Sequence, residues 1–318
     1  MTAQTPPVLD DAGPLDEQPL VSVVLATFNM AEHLDAAISS VLHQTYPKVE
    51  LVVVDDGSTD DTPRVLDRYS GRPDVRIIRQ RNAGQTVAKN AGVQASRGTL
   101  IAFCDADDLW VPDKLARQVP VLCSDPGVGV VYSGVTRFGS TGLELDPPRS
   151  VFQRGWVTEA LFLENFVPFG TAVVRRSALG SPRPFNESLR MAIDWELWLR
   201  ISLDFRFEYV DAPLYRYRVW DGQMSKNWNG RYDSAFKIMD TFLAEHPGKI
   251  SEATRRRAYS LTFTNRARAR LARAADYRGA FADAARSISA YPLWIAGWRT
   301  LFHIAISPVR PRKPWGAA

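Results

Sequence analysis

The stretch FCDADDLWVPD, Phe103–Asp113, sets Asp105, Asp107 and Asp108 within four positions, directly behind the apolar run TLIAF. Three carboxylates at the end of a buried strand repel one another and resist desolvation, so the crowding needs a partner. That partner is either a divalent cation or the water around a solvated turn. A second acidic cluster, VVVDDGSTDDT, puts Asp55 and Asp56 between an apolar run and a Gly turn. Ser58 followed by Asp61 matches a capping box that opens the next helix. Asp55 and Asp56 precede that cap, which leaves at least one of them to accept hydrogen bonds from a ligand, such as a nucleobase imide N–H or a ribose hydroxyl. No GxGxxG follows any strand, and no GxxxxGK followed by Ser or Thr occurs, so no glycine-rich loop is present to cradle phosphates. Metal on a carboxylate cluster is the common remaining way to hold a diphosphate, and hard oxygen ligands suit Mg2+ or Mn2+.

The elements that must carry these clusters alternate from residue 21. VSVVLA, VELVVV, VRIIRQ and TLIAFC are apolar runs of strand length. AEHLDAAISSVLHQ and GQTVAKNAGVQAS lie between them, the first with Leu34, Ala37, Ile38, Val41 and Leu42 at helical spacing. Continuous apolar strands alternating with helices predict a parallel sheet covered on both faces, with ligands outside the carboxyl ends of the strands. TFN, DDGS and DADD all fall at those ends. After VGVVYSG the pattern is irregular: FGTAVVRRS reads as a strand, DWELWLRIS as an amphipathic helix, and FEYVDAPLYRYRV as one or two strands. From about Asn229 onward the chain reads as wholly helical. One segment there resembles the helical hairpin of a tetratricopeptide repeat, in a single copy where a solenoid needs about three.

The composition, 45% hydrophobic and 23% charged over 318 residues, is that of a globular protein with a sizeable core. Cys104 and Cys123 form no disulfide framework and no ligand cluster, and both read as buried free thiols in a reducing compartment. The first 18 residues lack a basic start and an apolar core and read as a disordered leader. No apolar run reaches the ~20 residues that span a bilayer, so a cytoplasmic location is expected. Net charge is +4, yet from Ser251 onward there are 13 Lys/Arg against 3 Asp/Glu, a local +10 that leaves −6 for the rest. A basic tail on an acidic body points to an anionic surface, lipid headgroup or protein, and not to nucleic acid, for which no motif is present.

VSVVLATFN, VVVDDGSTDDT, RNAGQTVAKNAGV, FCDADDLWVPDKL and MAIDWELWLRIS occur in the order and spacing of family 2 glycosyltransferases, a resemblance that covers roughly residues 20–225. It implies an α/β GT-A fold, a mainly parallel sheet flanked by helices, over residues 19–228, with a nucleotide-sugar half at about 19–125, an acceptor half at about 126–228 and a helical C-terminal region at 229–318. It also implies an inverting transfer from a nucleoside-diphosphate sugar, typically a uridine one, to a hydroxyl of a glycan or lipid-linked acceptor. On the family's pattern Ala26, Thr27, Asn29 and Asp56 resemble the positions that hold the nucleoside base. Lys89 stands where Arg is usual, near the ribose and phosphates. Asp105 and Asp107 match the DXD pair, Asp105 on the ribose side and Asp107 on the metal, with Asp108 as an adjacent metal carboxylate. Asp194 looks like the catalytic base, with Ile193 in place of the family's usual Glu. Trp220 stands where a His is expected to help the metal or diphosphate, and Gln223 and Ser225 remain as polar groups in that loop.

The four histidines show no metal spacing and read as surface or helix-face residues, and Trp195 and Trp198 as core or acceptor wall. At the C-terminus, Ala296, Arg299, Thr300, His303 and Ser307 form one narrow face between Pro292 and Pro308, and the rest of that helix is apolar. Such a helix either packs into a bundle or lies in a membrane interface, peripheral to the inner membrane face. A nucleotidyltransferase of similar fold, which would release pyrophosphate, and a non-catalytic nucleotide-sugar-binding scaffold are the alternatives to a transferase.

Overall fold

The computed structural model describes residues 15–139, 144–145, 152–220, 222–223 and 227–306. They divide into two compact units, 15–157 with 166–223, and 158–165 with the residues from 227 onward. The first unit is built on a mixed sheet. β1 (Val21–Thr27), β2 (Val49–Asp55), β3 (Val75–Arg79) and β4 (Leu100–Phe103) run parallel in the order β3-β2-β1-β4. β1, β2 and β4 are almost wholly buried, as continuous apolar strands covered on both faces must be. The helices between them are α1 (Ala31–Leu42), α2 (Thr62–Asp67) and α3 (Gln85–Ala95). Of the residues predicted to face the core in α1, Leu34, Ala37, Ile38 and Val41 are fully buried and Leu42 is partly buried.

The sheet then changes character. β8 (Val173–Arg175) pairs antiparallel with β4 and with β6 (Val128–Gly139), and β6 runs parallel to β9 (Arg206–Val219) along its whole length. FEYVDAPLYRYRV is therefore one strand. Its ladder slips between Ser133 and Gly134, which leaves Asp211 and Ala212 unmatched just before Pro213, a residue with no N–H to give. β5 (Leu109–Trp110) closes the far edge on β9, and β7 (Glu144–Leu145) pairs with β6. α4 (Lys114–Ser124) covers this half. Its Gln118 Nε2 donates to the carbonyls of Val131 and Thr171 at 3.1 and 2.9 Å, and its Lys114 Nζ to Gln118 Oε1 at 2.8 Å. Burial pulls the Lys114 pKa down to about 7. α6 (Ile193–Ile201) packs Trp198 fully inside, its indole N–H on the Val167 carbonyl at 3.2 Å.

Three readings change. The capping box is not formed: Asp60 Oδ1 accepts the Thr62 N–H at 2.9 Å, while Ser58 Oγ is spent on the Asn29 N–H at 2.9 Å. Residues 15–18, read as leader, carry Leu15 packed against the core, and 1–14 lie outside the described residues. Residues 158–165, placed on sequence in the acceptor half, belong to the second unit as α5 (Thr158–Leu163), because Phe162 packs on Phe242 with ring centroids 5.9 Å apart and Glu159 accepts the Ser251 N–H at 2.7 Å. Cys104 is buried, whereas Cys123 is only partly so.

In the second unit, α7 (Trp228–Glu245), α8 (Glu252–Ala269), α9 (Tyr277–Ala290) and α10 (Ile295–Ile306) follow one another. The cluster between α8, α9 and α10 is mostly small (Ala267, Ala280 and Ala284 with Ile304), so these helices approach closely over little apolar area there, while Phe162, Met239 and Phe242 are buried elsewhere in the unit. A buried ion cluster adds to this: Asp283, 1% exposed, accepts both guanidinium nitrogens of Arg266 at 2.7 and 2.8 Å. No helix among the described residues is long and apolar enough to cross a membrane.

Gly92 decides how closely α3 lies on β1 and β2. A Cβ there would collide with Val24 Cγ1 and stand 3.3 Å from Val54 Cγ2. Gly92→Ala gains helix propensity but overpacks this contact. It is expected to lower unfolding free energy by ~1–3 kcal/mol, read from urea denaturation. Unchanged or raised stability would show that α3 can lift without cost.

Candidate active site

The carboxyl ends of β1, β2 and β4 meet along one edge, as parallel strands require, and bring TFN, DDGS and DADD together. The first two loops are stitched into one piece. Asn29 adopts a left-handed φ of 52°, and its Oδ1 accepts the Thr59 N–H at 2.7 Å. The free N–H groups at the start of α1 are satisfied from the other loop, Met30 by Thr62 Oγ1 at 3.0 Å and Ala31 by Asp60 Oδ2 at 3.1 Å. Ala26 is half-buried in β1. Thr27, at its end, is 3% exposed, and its hydroxyl has no hydrogen-bond partner. A buried hydroxyl left unpaired costs free energy until a ligand meets it.

Asp56 differs from its expected role as an open acceptor. It is 3% exposed, its Oδ1 accepts from Gln80 Nε2 at 2.7 Å and the Ala83 N–H at 2.9 Å, and its Oδ2 accepts the Gly84 N–H at 2.8 Å. It shapes the loop that leads into α3, and one further lone pair on Oδ2 is its remaining acceptor capacity. Asp55, equally buried, accepts the Ser58 N–H at 3.0 Å.

The three carboxylates behind β4 have three different surroundings. Asp105 is paired with Lys89 of α3, Nζ to Oδ1 at 3.1 Å, and that ammonium also lies 4.1 Å from the centroid of the Phe169 ring. Asp107 Oδ2 accepts the Trp220 indole N–H at 2.8 Å, and the Asp107 carbonyl accepts from Arg218 Nε at 2.7 Å. Burial and the neighbouring Asp105 charge push the Asp107 carboxyl above its ordinary pKa. Asp108, expected beside the metal, is turned into the fold. It is 1% exposed, with Oδ2 taken by the Tyr215 hydroxyl at 2.6 Å and Oδ1 by the Arg218 N–H at 2.7 Å. Burial and the two neighbouring carboxylates hold its pKa well above the usual range.

Does this set fit a divalent ion? Among the described residues no three metal-ligating side chains converge into a cage. Asp105 and Asp107 each have one acceptor site occupied by a side-chain donor, out of about four on a carboxylate, so both keep hard oxygen lone pairs. One or two carboxylates completed by water and phosphate oxygens is how Mg2+ is ordinarily held. The residues fit an ion that arrives with a diphosphate.

Asp194 lies in the first turn of α6, behind Ala192, which caps the helix in a left-handed conformation (φ 55°) without a side-chain bond. The N-terminal end of a helix favours its carboxylate form. The loop before it is held by α3: Thr86 Oγ1 donates to the Leu189 carbonyl and Gln85 Nε2 to the Arg190 carbonyl, both at 2.9 Å. Asn90 Nδ2 donates to the Phe185 carbonyl, and its Oδ1 accepts the Phe185 N–H, again at 2.9 Å each. One helix thus carries Lys89 against the acidic cluster and fixes the approach to Asp194. Gln85, Thr86 and Asn90 all stand in RNAGQTVAKNAGV without a motif of their own; Thr86 and Asn90, polar side chains at buried helical positions, were the signal in the sequence. His33, read as a helix-face residue, sits edge-on to Trp220 with ring centroids 5.4 Å apart. Of the loop groups, Gln223 Oε1 accepts the Trp220 N–H at 3.3 Å, and Ser225 lies outside the described residues.

Asn90→Ala would strip the buried Phe185 N–H and carbonyl of their partners. Unpaired buried groups of this kind cost ~1–3 kcal/mol, so urea unfolding should show a loss of that size. A variant as stable as the parent would mean that the loop finds other partners.

The sequence profile of glycosyl transferase family 2 matches residues 22–180. Chondroitin synthase of Escherichia coli is 28% identical over 239 residues, 74% of this chain, and the chain spans about a third (34%) of its length. TuaG of Bacillus subtilis, a glycosyltransferase assigned to teichuronic acid biosynthesis, is 33% identical over 215 residues, 66% of this chain and 83% of that protein. Among solved structures, Staphylococcus aureus TarS 1–349 in complex with UDP-GlcNAc superposes with a TM-score of 0.66 at 18% identity, covering 90% of this chain and 89% of TarS 1–349. The fold of the catalytic half is GT-A, the order of its strand-end loops is the one set out above, and the chain belongs to glycosyl transferase family 2.

Proposed function

We propose that the chain is an inverting transferase that moves a sugar from a nucleoside-diphosphate sugar, UDP-linked, to a hydroxyl of a glycan or lipid-linked acceptor. The observation that carries this reading is the double attachment of α3, which binds Asp105 through Lys89 and holds the loop leading to Asp194 through Gln85, Thr86 and Asn90. A donor-side and an acceptor-side carboxylate on one support suit a displacement between two bound reactants. TarS with its bound UDP-GlcNAc supports the choice of donor. Chondroitin synthase and TuaG support a place in cell-surface polysaccharide assembly, at the cytoplasmic face of a membrane.

In this reading the unpaired Thr27 hydroxyl and the remaining lone pair of Asp56, with Ala26 and Asn29 beside them, receive the nucleoside. Lys89 and Asp105 meet the ribose and phosphates. Asp107 would be the protein's principal ligand to Mg2+ or Mn2+, with Asp105 beside it, and Asp108 acts from behind by fixing Tyr215 and Arg218. When bound, the ion would supply positive charge next to the departing diphosphate. Trp220 orients the Asp107 carboxylate by holding its Oδ2. Asp194 accepts the proton of the acceptor hydroxyl as that oxygen attacks the anomeric carbon from the face opposite the diphosphate. The C1–diphosphate bond breaks as the new C1–oxygen bond forms, and the single displacement inverts the anomeric centre without an enzyme nucleophile.

One substitution separates the base from a helix-end charge. Asp194→Asn keeps the size and polarity of the side chain but cannot accept the proton. Transfer should fall ~10²–10⁴-fold with donor affinity nearly unchanged, measured by product formation and by calorimetric binding of UDP-sugar. Wild-type turnover in a folded variant would remove Asp194 from the mechanism.

Metal ligation separates Asp107 from Asp108. With UDP present, Asp107→Asn should weaken Mn2+ binding by ~10-fold or more, because a neutral amide is a poor ligand for a hard cation. Asp108→Asn should affect melting temperature more than Mn2+ affinity, since Asp108 is buried among protein donors. Equal losses of affinity in the two variants would put both carboxylates on the ion.

A further inference from the structure

Eight large apolar side chains are exposed among the described residues, and six of them lie between Tyr277 and Phe302. Tyr277 and Phe281 stand one turn apart on α9. Ile295, Trp298 and Phe302 recur at i, i+3 and i+7 along α10, and Leu293 precedes them. Leu293, Phe302 and Ile295 are 79%, 68% and 65% exposed, which is too open for side chains that pack on their own unit.

The other side of α10 is engaged. Ile304 sits with Ala280 and Ala284, and Thr300 Oγ1 donates to the Ala296 carbonyl at 2.8 Å and accepts from Arg268 Nε at 3.1 Å. Of the two alternatives left by the sequence, bundle packing accounts for one side of this helix only. A side of it packs into the bundle. The face it turns outward is aromatic and aliphatic, while Thr300 of the narrow polar stripe is 4% exposed. That is the reverse of a water-facing surface helix.

Charge selects what covers this face. From Ser251 onward the chain carries 13 Lys/Arg against 3 Asp/Glu. Two of those three acids are consumed internally, Asp283 by Arg266 and Asp276 by Arg270. A second copy seated here would bring two strongly cationic segments together as water is excluded, which is unfavourable. An anionic bilayer offers both halves of the complement: the headgroup–acyl boundary for Trp298, Phe302 and Ile295, and lipid phosphates for exposed Arg278 and Arg299. At 12 residues, α10 is about 18 Å long and falls short of the ~20 residues that span a bilayer. We infer that the outward face of α9 and α10 docks on an anionic lipid surface, with α10 lying in the plane of the interface.

The inference names the partner surface for the membrane location proposed above, and its test uses no transfer reaction, so either can fail without the other. Full-length protein is sedimented with phosphatidylcholine vesicles, alone or containing about a third phosphatidylglycerol, a composition that supplies the negative surface potential. The parent should bind the anionic vesicles, bind less as salt is raised, and ignore the neutral ones. The triple variant Ile295→Ser, Trp298→Ser, Phe302→Ser should lose ~10-fold or more of that binding while its circular dichroism melt stays cooperative. Trp298→Phe supplies a second readout independent of the triple variant's folding: brominated acyl chains should quench the tryptophan emission of the parent more than that of this variant. Failure of the parent to sediment, equal sedimentation of the triple variant, equal quenching of Trp298→Phe, or a parent oligomer that the triple variant disperses would each overturn the inference, the last in favour of a second copy.

Discussion

Concentrating three carboxylates behind one buried strand is the constraint around which the catalytic half is arranged. Asp105, Asp107 and Asp108 cannot share a low-dielectric edge as bare charges. Each is answered by donors from elsewhere in the chain: Lys89 from the helix before β4, Tyr215 and Arg218 from the C-terminal end of β9, and Trp220 just beyond it. Tyr215, Arg218 and Trp220 reach the cluster because β9 continues through its register slip from Arg206 to Val219 alongside β6 and pairs with β5, which follows the cluster directly. The length and pairing of the last strand are thereby tied to the electrostatics of the fourth.

The sheet edge was legible in the sequence because continuous apolar strands state both their direction and the end at which ligands collect. The identities of the motif residues were legible for the same reason, since strand ends are fixed by where an apolar run stops. What each carboxylate does was harder to read. Asp108 and its partner Arg218 are separated by 110 positions, and nothing local marks a carboxylate as turned inward. Asp56 looks like an open acceptor on a turn until the N–H groups of Ala83 and Gly84 close around it. A period or spacing locates a side chain along its element. Rotamer and hydrogen-bond partner depend on the tertiary fold.

The second unit follows a different logic. Around α9 the buried apolar side chains are mostly alanine and add little apolar area, and charge contributes there: Asp283 is buried against Arg266, with the more exposed Arg270 and Arg286 also within ion-pair distance. Removing one member of such a cluster leaves the other charges uncompensated, so it fixes the helix register more than it adds to net stability. The arginine-rich composition that gives the region its external charge therefore also organises its interior.

The assignment of α5 to the second unit has a consequence for synthesis. The chain passes from one unit to the other at 157/158, back at 165/166 and again at 223/224. Leu161 and Phe162 leave the ribosome flanked by the catalytic half, yet Phe242 of α7, on which Phe162 packs, and α8, which α5 also meets, come some 80 to 90 residues later. At ordinary elongation rates that interval lasts roughly 5–20 s, during which an apolar turn waits without its cover. The nascent transferase domain is therefore an adhesive intermediate until the helical segment has emerged. Neither half can be transplanted intact by cutting the polypeptide once.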